Sequence, residues 1–165
     1  MLAASAREAL WFLPFVAPVA LWVAWSDMKF MKIPNKAVLA LAAVFAVVGL
    51  IALPLPDYGW RWVHLAVILA LGFAMTIVGL VGAGDAKYAA AMAPFVAVGD
   101  LRLFIGIFAA SLIAAFVAHR LMRAIPAIRA ATPDWISWTS RKFPMGLALS
   151  GALLMHLAVV ATLGT

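Results

Sequence analysis

Two aspartates, Asp27 and Asp85, have the residue type and the position that acid–base chemistry requires. Asp27 follows the first long apolar run of the chain, and Asp85 opens the fourth. Because two apolar runs separate them, both carboxyl groups are expected at the same face of a membrane if every run crosses it. A charged side chain at the edge of a membrane helix usually faces a bundle interior or a water-filled cavity, so both are functional candidates.

Two carboxyl groups held close together can share one proton, because both cannot ionise at low cost. The ionised group can then deprotonate a water molecule while the protonated group donates to a substrate carbonyl oxygen. This is aspartic protease chemistry, and it needs neither a metal nor a cofactor. Charge placement alone leaves a structural role equally open, in which Asp27 pairs with Lys29 or each aspartate caps a helix.

The residues around Asp85 favour the chemical interpretation. Gly82 and Gly84 precede it, and glycine allows backbone angles and close approaches that are closed to other residues. After it, residues 86–93 are mostly alanine, and small side chains allow tight helix packing. This packing is expected to hold Asp85 against the helix that carries Asp27.

The other acidic residues are expected to be solvated loop charges or helix caps. They are Glu8, Asp57, Asp100 and Asp134. Glu8 is the only glutamate, so the His-Glu-x-x-His motif of metalloproteases is absent. The chain has no cysteine, which excludes disulfides, thiolate zinc sites and a cysteine nucleophile.

The composition indicates a membrane protein. Hydrophobic residues make up 68% of the 165 residues and charged residues 11%, whereas soluble domains have about 45–50% and about 25%. Six apolar runs are long enough, or nearly long enough, to cross a bilayer: 9–26, 37–53, 62–81, 85–98, 103–118 and 145–163. They do not alternate apolar and polar residues, which disfavours a β-barrel. We therefore expect an all-α, polytopic bundle of about six transmembrane helices, forming a single domain over residues 1–165.

The basic residues predict the orientation of this bundle. With the N-terminus outside, nine of the twelve fall at the inner face: Lys29, Lys32, Lys36, Lys87, Arg120, Arg123, Arg129, Arg141 and Lys142. The other three, Arg7, Arg61 and Arg102, fall outside. Because cytoplasmic loops are enriched in lysine and arginine, this bias places Asp27 and Asp85 at the cytoplasmic face. The net charge of +6 is then explained by the basic residues of the cytoplasmic loops and does not indicate nucleic-acid binding.

One long loop, residues 119–143, is expected at the inner face. Within it, Thr132-Pro133-Asp134 has the residues of a helix start, with threonine as N-cap, proline at the first position and an acid in the first turn. We therefore predict an interfacial helix that begins there and lies on the inner leaflet.

Three motifs in this order resemble the type IV prepilin peptidases, the membrane aspartic proteases with a Gly-x-Gly-Asp signature. Gly82-Ala83-Gly84-Asp85-Ala86-Lys87 resembles the Gly-x-Gly-Asp-x-Lys signature itself. The stretch from Asp27 to Ile33-Pro34-Asn35 resembles the first catalytic aspartate and the short basic segment after it. Near the last apolar run, residues 142–148, Lys-Phe-Pro-Met-Gly-Leu-Ala, resemble a third element of the family.

The resemblance implies that Asp27 and Asp85 form the catalytic pair. It also implies supporting roles for Gly82, Gly84, Lys87, Pro34, Asn35, Pro144 and Gly146. The implied activity is removal of the leader peptide of a prepilin or pseudopilin at the cytoplasmic face of the bacterial inner membrane. The implied partners are that substrate, the lipid bilayer and the pilus or secretion machinery, without nucleic acid, metal or cofactor.

The sequence departs from the larger, bifunctional members of the family. Those members carry paired cysteine motifs in an extra cytoplasmic domain linked to N-methylation, and this sequence has no cysteine. We therefore expect no methyltransferase activity and a resemblance to the short CpaA/TadV-like form, which processes pilins of the Flp type in the tight-adherence (Tad) system. A second hypothesis is a non-enzymatic transporter or pilus assembly component that uses Asp27 and Asp85 as a proton or cation site.

Overall fold

The structure, a computed structural model, describes residues 2–164 and is helical throughout, with no β-strand in that range. The α-helices are α1 (Ala6–Phe30), α2 (Asn35–Ala52), α3 (Leu55–Ile77), α4 (Ala83–Met92), α5 (Leu101–Ala124), α6 (Pro126–Ala131) and α7 (Met145–Leu163). Five of them, α1, α2, α3, α5 and α7, are long and apolar enough to cross a membrane. The predicted all-α, polytopic membrane bundle is confirmed.

Local sequence signals set where several helices begin. The side chain of Ser5 accepts a hydrogen bond from the Glu8 backbone N–H at 3.3 Å and so caps α1. The helices α2, α3 and α7 each follow directly on a proline: Pro34, Pro54 and Pro144. Proline suits a helix start because its φ angle is already close to helical and it brings no N–H group that would lack a partner.

The core lies between α1, α2 and α7. On α1, Phe12, Val16 and Val23 are buried along one face of the helix. The ring of Phe12 meets the ring of Phe95 edge-on at 4.9 Å between centroids, and Phe45 of α2 meets Phe95 at 5.5 Å. Most of the side chains of α3 and α5 are exposed, as expected of helices that face lipid.

The fourth predicted span, 85–98, is not a continuous helix. The helix α4 has ten residues, about 15 Å at the α-helical rise, and 3₁₀ turns follow it at Ala93–Phe95 and Val98–Asp100. Pro94 contributes to this break because it has no N–H to donate to the preceding turn. The prediction of about six transmembrane helices is therefore corrected to five long helices and one broken crossing.

This broken segment still reaches the opposite end of the bundle. The carboxylate of Asp100 accepts the backbone N–H groups of Ala3 and Ala4 at 2.7 and 2.8 Å, next to the start of α1. Asp85, at the other end of the segment, lies in a cavity that the end of α1 also lines. The two aspartates Asp27 and Asp85 therefore share one end of the bundle although the fourth crossing is not a single helix.

The segment predicted as a long loop, residues 119–143, also differs from its prediction, because α5 continues to Ala124 and α6 follows it. No helix begins at Thr132; instead α6 ends at Ala131, just before it. Thr132 binds the indole N–H of Trp138 through its backbone oxygen at 3.0 Å and its hydroxyl at 3.1 Å. Trp135 and Trp138 stack at 5.5 Å between ring centroids, but within a turn. Thr132, which the sequence predicted as an N-cap, instead binds the indole of Trp138.

The opposite end of the bundle is closed by paired polar groups. Arg61 donates to the backbone oxygen of Pro94 at 3.1 Å and to the carboxylate of Glu8 at 3.0 Å. The side chains of Arg61 and Glu8 are only 8% and 15% exposed, and Asp100 is buried. Of the expected roles, solvated loop charge or helix cap, the first does not hold for Glu8 and Asp100: Glu8 pairs with Arg61, and Asp100 binds backbone N–H groups just before α1.

We expect replacement of Arg61 with methionine to lower the free energy of unfolding by about 3 kcal/mol, because it leaves the mostly buried Glu8 carboxylate without its partner. The double variant Arg61→Met with Glu8→Gln should recover part of this loss, since no charge is then stranded. Thermal unfolding in detergent micelles, followed by circular dichroism, measures both. Arg102→Met is the matched control, because Arg102 is exposed on α5. Equal effects at Arg61 and Arg102 would contradict the prediction.

Candidate active site

Four helix ends meet at one cavity of about 360 Å³. They are the end of α1 and the beginnings of α2, α4 and α7. The lining residues are Asp27, Met31, Lys32, Ile33, Asn35, Gly82, Gly84, Asp85, Lys87, Lys142, Phe143 and Met145. The structure thus brings together both aspartates singled out from the sequence and parts of all three motifs.

Asp27 is buried near the end of α1 and caps another helix. Its Oδ2 accepts the backbone N–H of Gly146 at 2.7 Å. Gly146 lies in the first turn of α7, where N–H groups have no partner within the helix, and Pro144 before it supplies no side-chain cap. Asp27 therefore satisfies a free donor of α7 from 119 positions away.

This contact requires glycine at position 146. A Cβ built there would lie 3.0 Å from both the Cβ and the Oδ2 of Asp27. Any other residue would push the carboxylate away from the helix end, since such distances are shorter than ordinary carbon contacts. Pro144 and Gly146 do not line the cavity themselves, but they start α7 and place its N-terminus against Asp27.

Asp85 lies in the first turn of α4, where it is half-buried, and burial raises the pKa of its carboxyl group. A Cβ on Gly82 would lie 2.7 Å from Oδ2 of Asp85, so the missing side chain leaves room for the carboxyl group. Gly84 differs, because a Cβ there would make an ordinary contact of 3.5 Å with Ile33. Of the two glycines, only Gly82 makes room for Asp85; a side chain at position 82 would displace the carboxyl group.

The segment between α1 and α2 forms one wall of the cavity. The chain leaves α1 through Met31, in the left-handed conformation with φ 52°, and the Ser26 hydroxyl donates to the backbone oxygen of Lys32 at 2.9 Å. Pro34 then starts α2, and the side chain of its first residue, Asn35, accepts from Lys87 Nζ at 3.5 Å. The two sequence motifs on either side of the cavity are thus in direct contact.

One pair of residues that the sequence did not single out holds α4 against α7. The hydroxyl groups of Tyr88 and Ser150 are buried and 3.0 Å apart, within hydrogen-bond distance. Tyr88 is three residues after Asp85 and Ser150 four residues after Gly146, so each shares a helix face with a residue of the site. That spacing is the signal that could have found them. The apolar wall of Met31, Phe143 and Met145 was likewise not predicted.

Of the two structural alternatives for Asp27, the helix cap is present, since Asp27 binds the N-terminus of α7, whereas the ion pair with Lys29 is not formed. Lys29 Nζ lies instead 2.7 Å from Oδ2 of Asp134 and holds the pKa of that carboxyl group below its usual range. Over residues 2–164 the ion pairs are Lys29–Asp134 and Arg61–Glu8. Asp27 and Asp85 therefore face a cavity together, and neither forms an ion pair within the described part of the chain.

No group of three or more His, Cys, Asp or Glu residues within positions 2–164 is arranged to hold a metal ion. The polar side chains at the cavity are two carboxyl groups, one amide and three ammonium groups. Such a set can bind a water molecule between the carboxyl groups and move a proton to or from it.

The sequence profile of one family, described as the type IV leader peptidase family, matches residues 15–119. The matched region is more than half of the chain and contains both Asp27 and Asp85. No curated protein and no solved structure matches the chain.

We expect Gly146→Ala to lower the free energy of unfolding by about 1–3 kcal/mol, because the added methyl group overlaps the Asp27 carboxylate. The matched control is Gly106→Ala on α5, where a Cβ would meet nothing within 4 Å. Alanine there should be neutral or stabilise by about 0.5–1 kcal/mol, since it favours the helix. Thermal unfolding of both variants in micelles provides the comparison, and an equally stable Gly146→Ala protein would refute the close contact.

Proposed function

Because the chain belongs to the type IV leader peptidase family, we propose that it is a membrane-embedded aspartic endopeptidase with Asp27 and Asp85 as its catalytic pair. Its substrates are prepilins or pseudopilins, from which it removes the leader peptide. The observation that carries the proposal is that two carboxyl groups without ion-pair partners line one cavity at the end of an otherwise apolar bundle. An unpaired charge at such a position is costly and marks a functional site.

The proposed hydrolysis depends on one proton that the carboxyl groups of Asp27 and Asp85 share. A water molecule between the carboxyl groups loses a proton to the ionised one and attacks the carbonyl carbon of the scissile peptide bond. The protonated carboxyl group donates its proton to the carbonyl oxygen, which gives a neutral tetrahedral diol. When the diol collapses, the carbon–nitrogen bond breaks, a proton passes to the leaving amine, and the products are a new carboxyl group and a new N-terminus.

The hydrogen bond from Gly146 to Asp27 supports this role, because it fixes the orientation of one carboxyl group before substrate binds. Only one of the oxygens of Asp27 accepts this bond, so the other is free to bind the water. Burial raises the pKa of the Asp85 carboxyl group, which supports a pair that retains one proton. Either aspartate can serve as base in the first step, and the pair behaves as one unit with a single shared proton.

The distribution of basic residues supports a site at the cytoplasmic face. The nine basic residues assigned to the inner face include Lys29, Lys32 and Lys87, which lie at the same end of the bundle as Asp27 and Asp85. A prepilin would then present its leader junction at the inner surface of the inner membrane, with its own apolar helix remaining in the bilayer.

The proposal extends to pilins of the Flp type in the Tad system and to peptidase activity without N-methyl transfer. The support is the absence of cysteine from the sequence, since the methyl-transferring members are marked by paired cysteine motifs. A protein of this kind would leave the new pilin N-terminus as a free amine, so that further assembly by the secretion machinery would start from an unmethylated subunit.

The central test compares Asp27→Asn and Asp85→Asn with the wild-type protein during co-expression with candidate prepilins. Each variant should lower the cleavage rate at least about a hundredfold, because asparagine can neither take nor share the proton. Asp57→Asn is the matched control, since Asp57 is exposed at the start of α3. Mass spectrometry of the product reads the cleavage position and should show no added methyl group.

Either variant that is stably inserted and still trims the leader would refute the assigned pair. Cleavage by the wild-type protein in detergent micelles, where no ion gradient exists, would separate a peptidase from the transporter hypothesis.

The cleavage rate should depend on pH in a way that reflects the buried pair. Because the pKa of Asp85 is raised, its carboxyl group keeps its proton at pH values at which an exposed aspartate is already ionised. The rate should therefore fall only as the pH rises above that raised pKa, and fall again in acid, where both groups are protonated. The measurement is kcat/KM from about pH 4 to about pH 9, with a substrate peptide that has no titratable side chain near the cleaved bond. A rate that keeps increasing through about pH 8 would contradict a shared proton.

A further inference from the structure

Residues 132–143, which we call the strap, lie between α6 and α7 and contribute to one wall of the cavity. The first half of the strap is a closed turn, because the indole N–H of Trp138 donates to Thr132 and the ring of Trp135 stacks on Trp138 at 5.5 Å. The last residue of the strap, Phe143, lines the cavity itself. A movement of this segment would therefore widen or narrow the site.

Aromatic rings attach the strap to α5. The ring of His119 stacks on Trp138 at 5.4 Å between centroids, and Phe143 meets His119 edge-on at 5.9 Å. Phe143 also lies 5.8 Å from the ring of Phe116, and His119 and Trp138 are both buried. Because such rings remove a large apolar area from water, the strap and the end of α5 are expected to move together.

The charged contact between the strap and α1 is the ion pair of Asp134 with Lys29, at 2.7 Å. The side chain of Asp134 is 60% exposed and that of Lys29 26%, and ion pairs that are open to solvent contribute little to stability. The ammonium group of Lys29 also lies 5.6 Å from the ring of Trp25 and 5.4 Å from the ring of Phe30, both on α1. When the ion pair breaks, Lys29 therefore stays on α1 and Asp134 leaves with the strap.

The size of the cavity indicates that one of its walls must move. Its volume of about 360 Å³ is near the lower limit of sites that hold a single small molecule, about 300–1,000 Å³. A protease must instead admit several residues of extended chain, each of which spans about 3.3 Å. The other non-helical wall, residues 31–34, is held by the hydrogen bond from Ser26 to Lys32, so the strap is the wall with the weaker attachment to α1.

We propose that the strap is a gate, that the ion pair of Lys29 with Asp134 is its latch, and that the latch must open before substrate enters the cavity. Lys29 lies two residues after Asp27 on α1, so the latch is at the same helix end as that aspartate. This inference rests on the proposed peptidase function and adds to it a conformational step that precedes cleavage. Asp134 acts through the strap and is not a catalytic residue.

The first test measures opening without catalysis, in the full-length protein in detergent micelles. Because the chain has no cysteine, Ile33→Cys places a single thiol in the cavity wall. In this background, Lys29→Met or Asp134→Asn should raise the rate of labelling by fluorescein maleimide about two- to fivefold, the range expected for the loss of one exposed ion pair. The double variant should label no faster than either single variant, because both single variants already lack the latch. Added salt should raise the rate only where the latch is intact.

The matched control variant is Lys36→Gln, which removes an exposed charge at the same end of the bundle from a residue that does not line the cavity. It should leave the labelling rate unchanged. Loss of the latch should affect labelling by the smaller N-ethylmaleimide less, because a small reagent needs a narrower opening. Equal labelling by fluorescein maleimide with and without the latch would overturn the inference. So would an equal increase with Lys36→Gln, since that result indicates an effect of charge alone.

The second test locks the latch with a covalent bridge. Lys29→Cys and Asp134→Cys together supply two thiols, which a bifunctional methanethiosulfonate reagent joins and dithiothreitol releases. The bridged protein should not cleave a full-length prepilin, and dithiothreitol should restore cleavage, because a closed gate blocks entry. The two single-cysteine variants are the controls, and the reagent should not change their cleavage rates. Cleavage by the bridged protein at the rate of the reduced protein would overturn the gate.

Failure of the proposed function can be told apart from failure of this inference. If the wild type cleaves no prepilin, the labelling rates still report whether the strap opens, since labelling needs no catalysis. Faster labelling of the latch variants then supports the gate, and equal labelling overturns it. If the wild type cleaves a prepilin and the bridged protein cleaves it equally fast, the peptidase function stands and the gate is refuted.

Discussion

The hydrogen bond between the backbone of Gly146 and the carboxylate of Asp27 is the contact on which the rest of the site depends. It joins the end of α1 to the beginning of α7, two helices that pack along their whole length. The bond formed by Tyr88 and Ser150 then holds α4 against α7 one helical turn further on. Asp85 is therefore placed relative to Asp27 in part through α7.

The charged side chains at the two ends of the bundle differ in their binding partners. Away from the cavity, Arg61, Glu8 and Asp100 are all hydrogen-bonded within the protein, which is how polar groups are normally accommodated in an apolar bundle. At the cavity, Asp27 accepts a single backbone hydrogen bond, from Gly146, and neither Asp27 nor Asp85 has an ion-pair partner among residues 2–164. A charged group without an ion-pair partner reduces the stability of an apolar bundle. A protein with few charges is therefore expected to retain such groups only where they bind or react with another molecule.

The short helix α4 links the position of Asp85 to the rest of the fold. Its first turn carries Asp85 and its alanines allow close approach to α3, where Gly72 faces Ala86. The chain then continues through 3₁₀ turns and brings Asp100 to the start of α1. One interrupted segment thus supplies a group for the site at one end and a cap at the other, which explains why its apolar run is shorter than a normal membrane helix.

The sequence by itself predicted the class of the protein and that the two aspartates lie at the same end of the bundle, because hydropathy is a local property of the chain; the break in the fourth predicted span was not predicted. It also singled out Gly82, three residues before Asp85, and, through the family resemblance, Gly146, which approaches Asp27. The tertiary structure alone decided that Asp27 caps α7, that Lys29 pairs with Asp134, that Glu8 pairs with Arg61, and that Tyr88 meets Ser150. These contacts join residues between 53 and 119 positions apart, and no local pattern of helix-forming residues specifies which distant partner a side chain will meet.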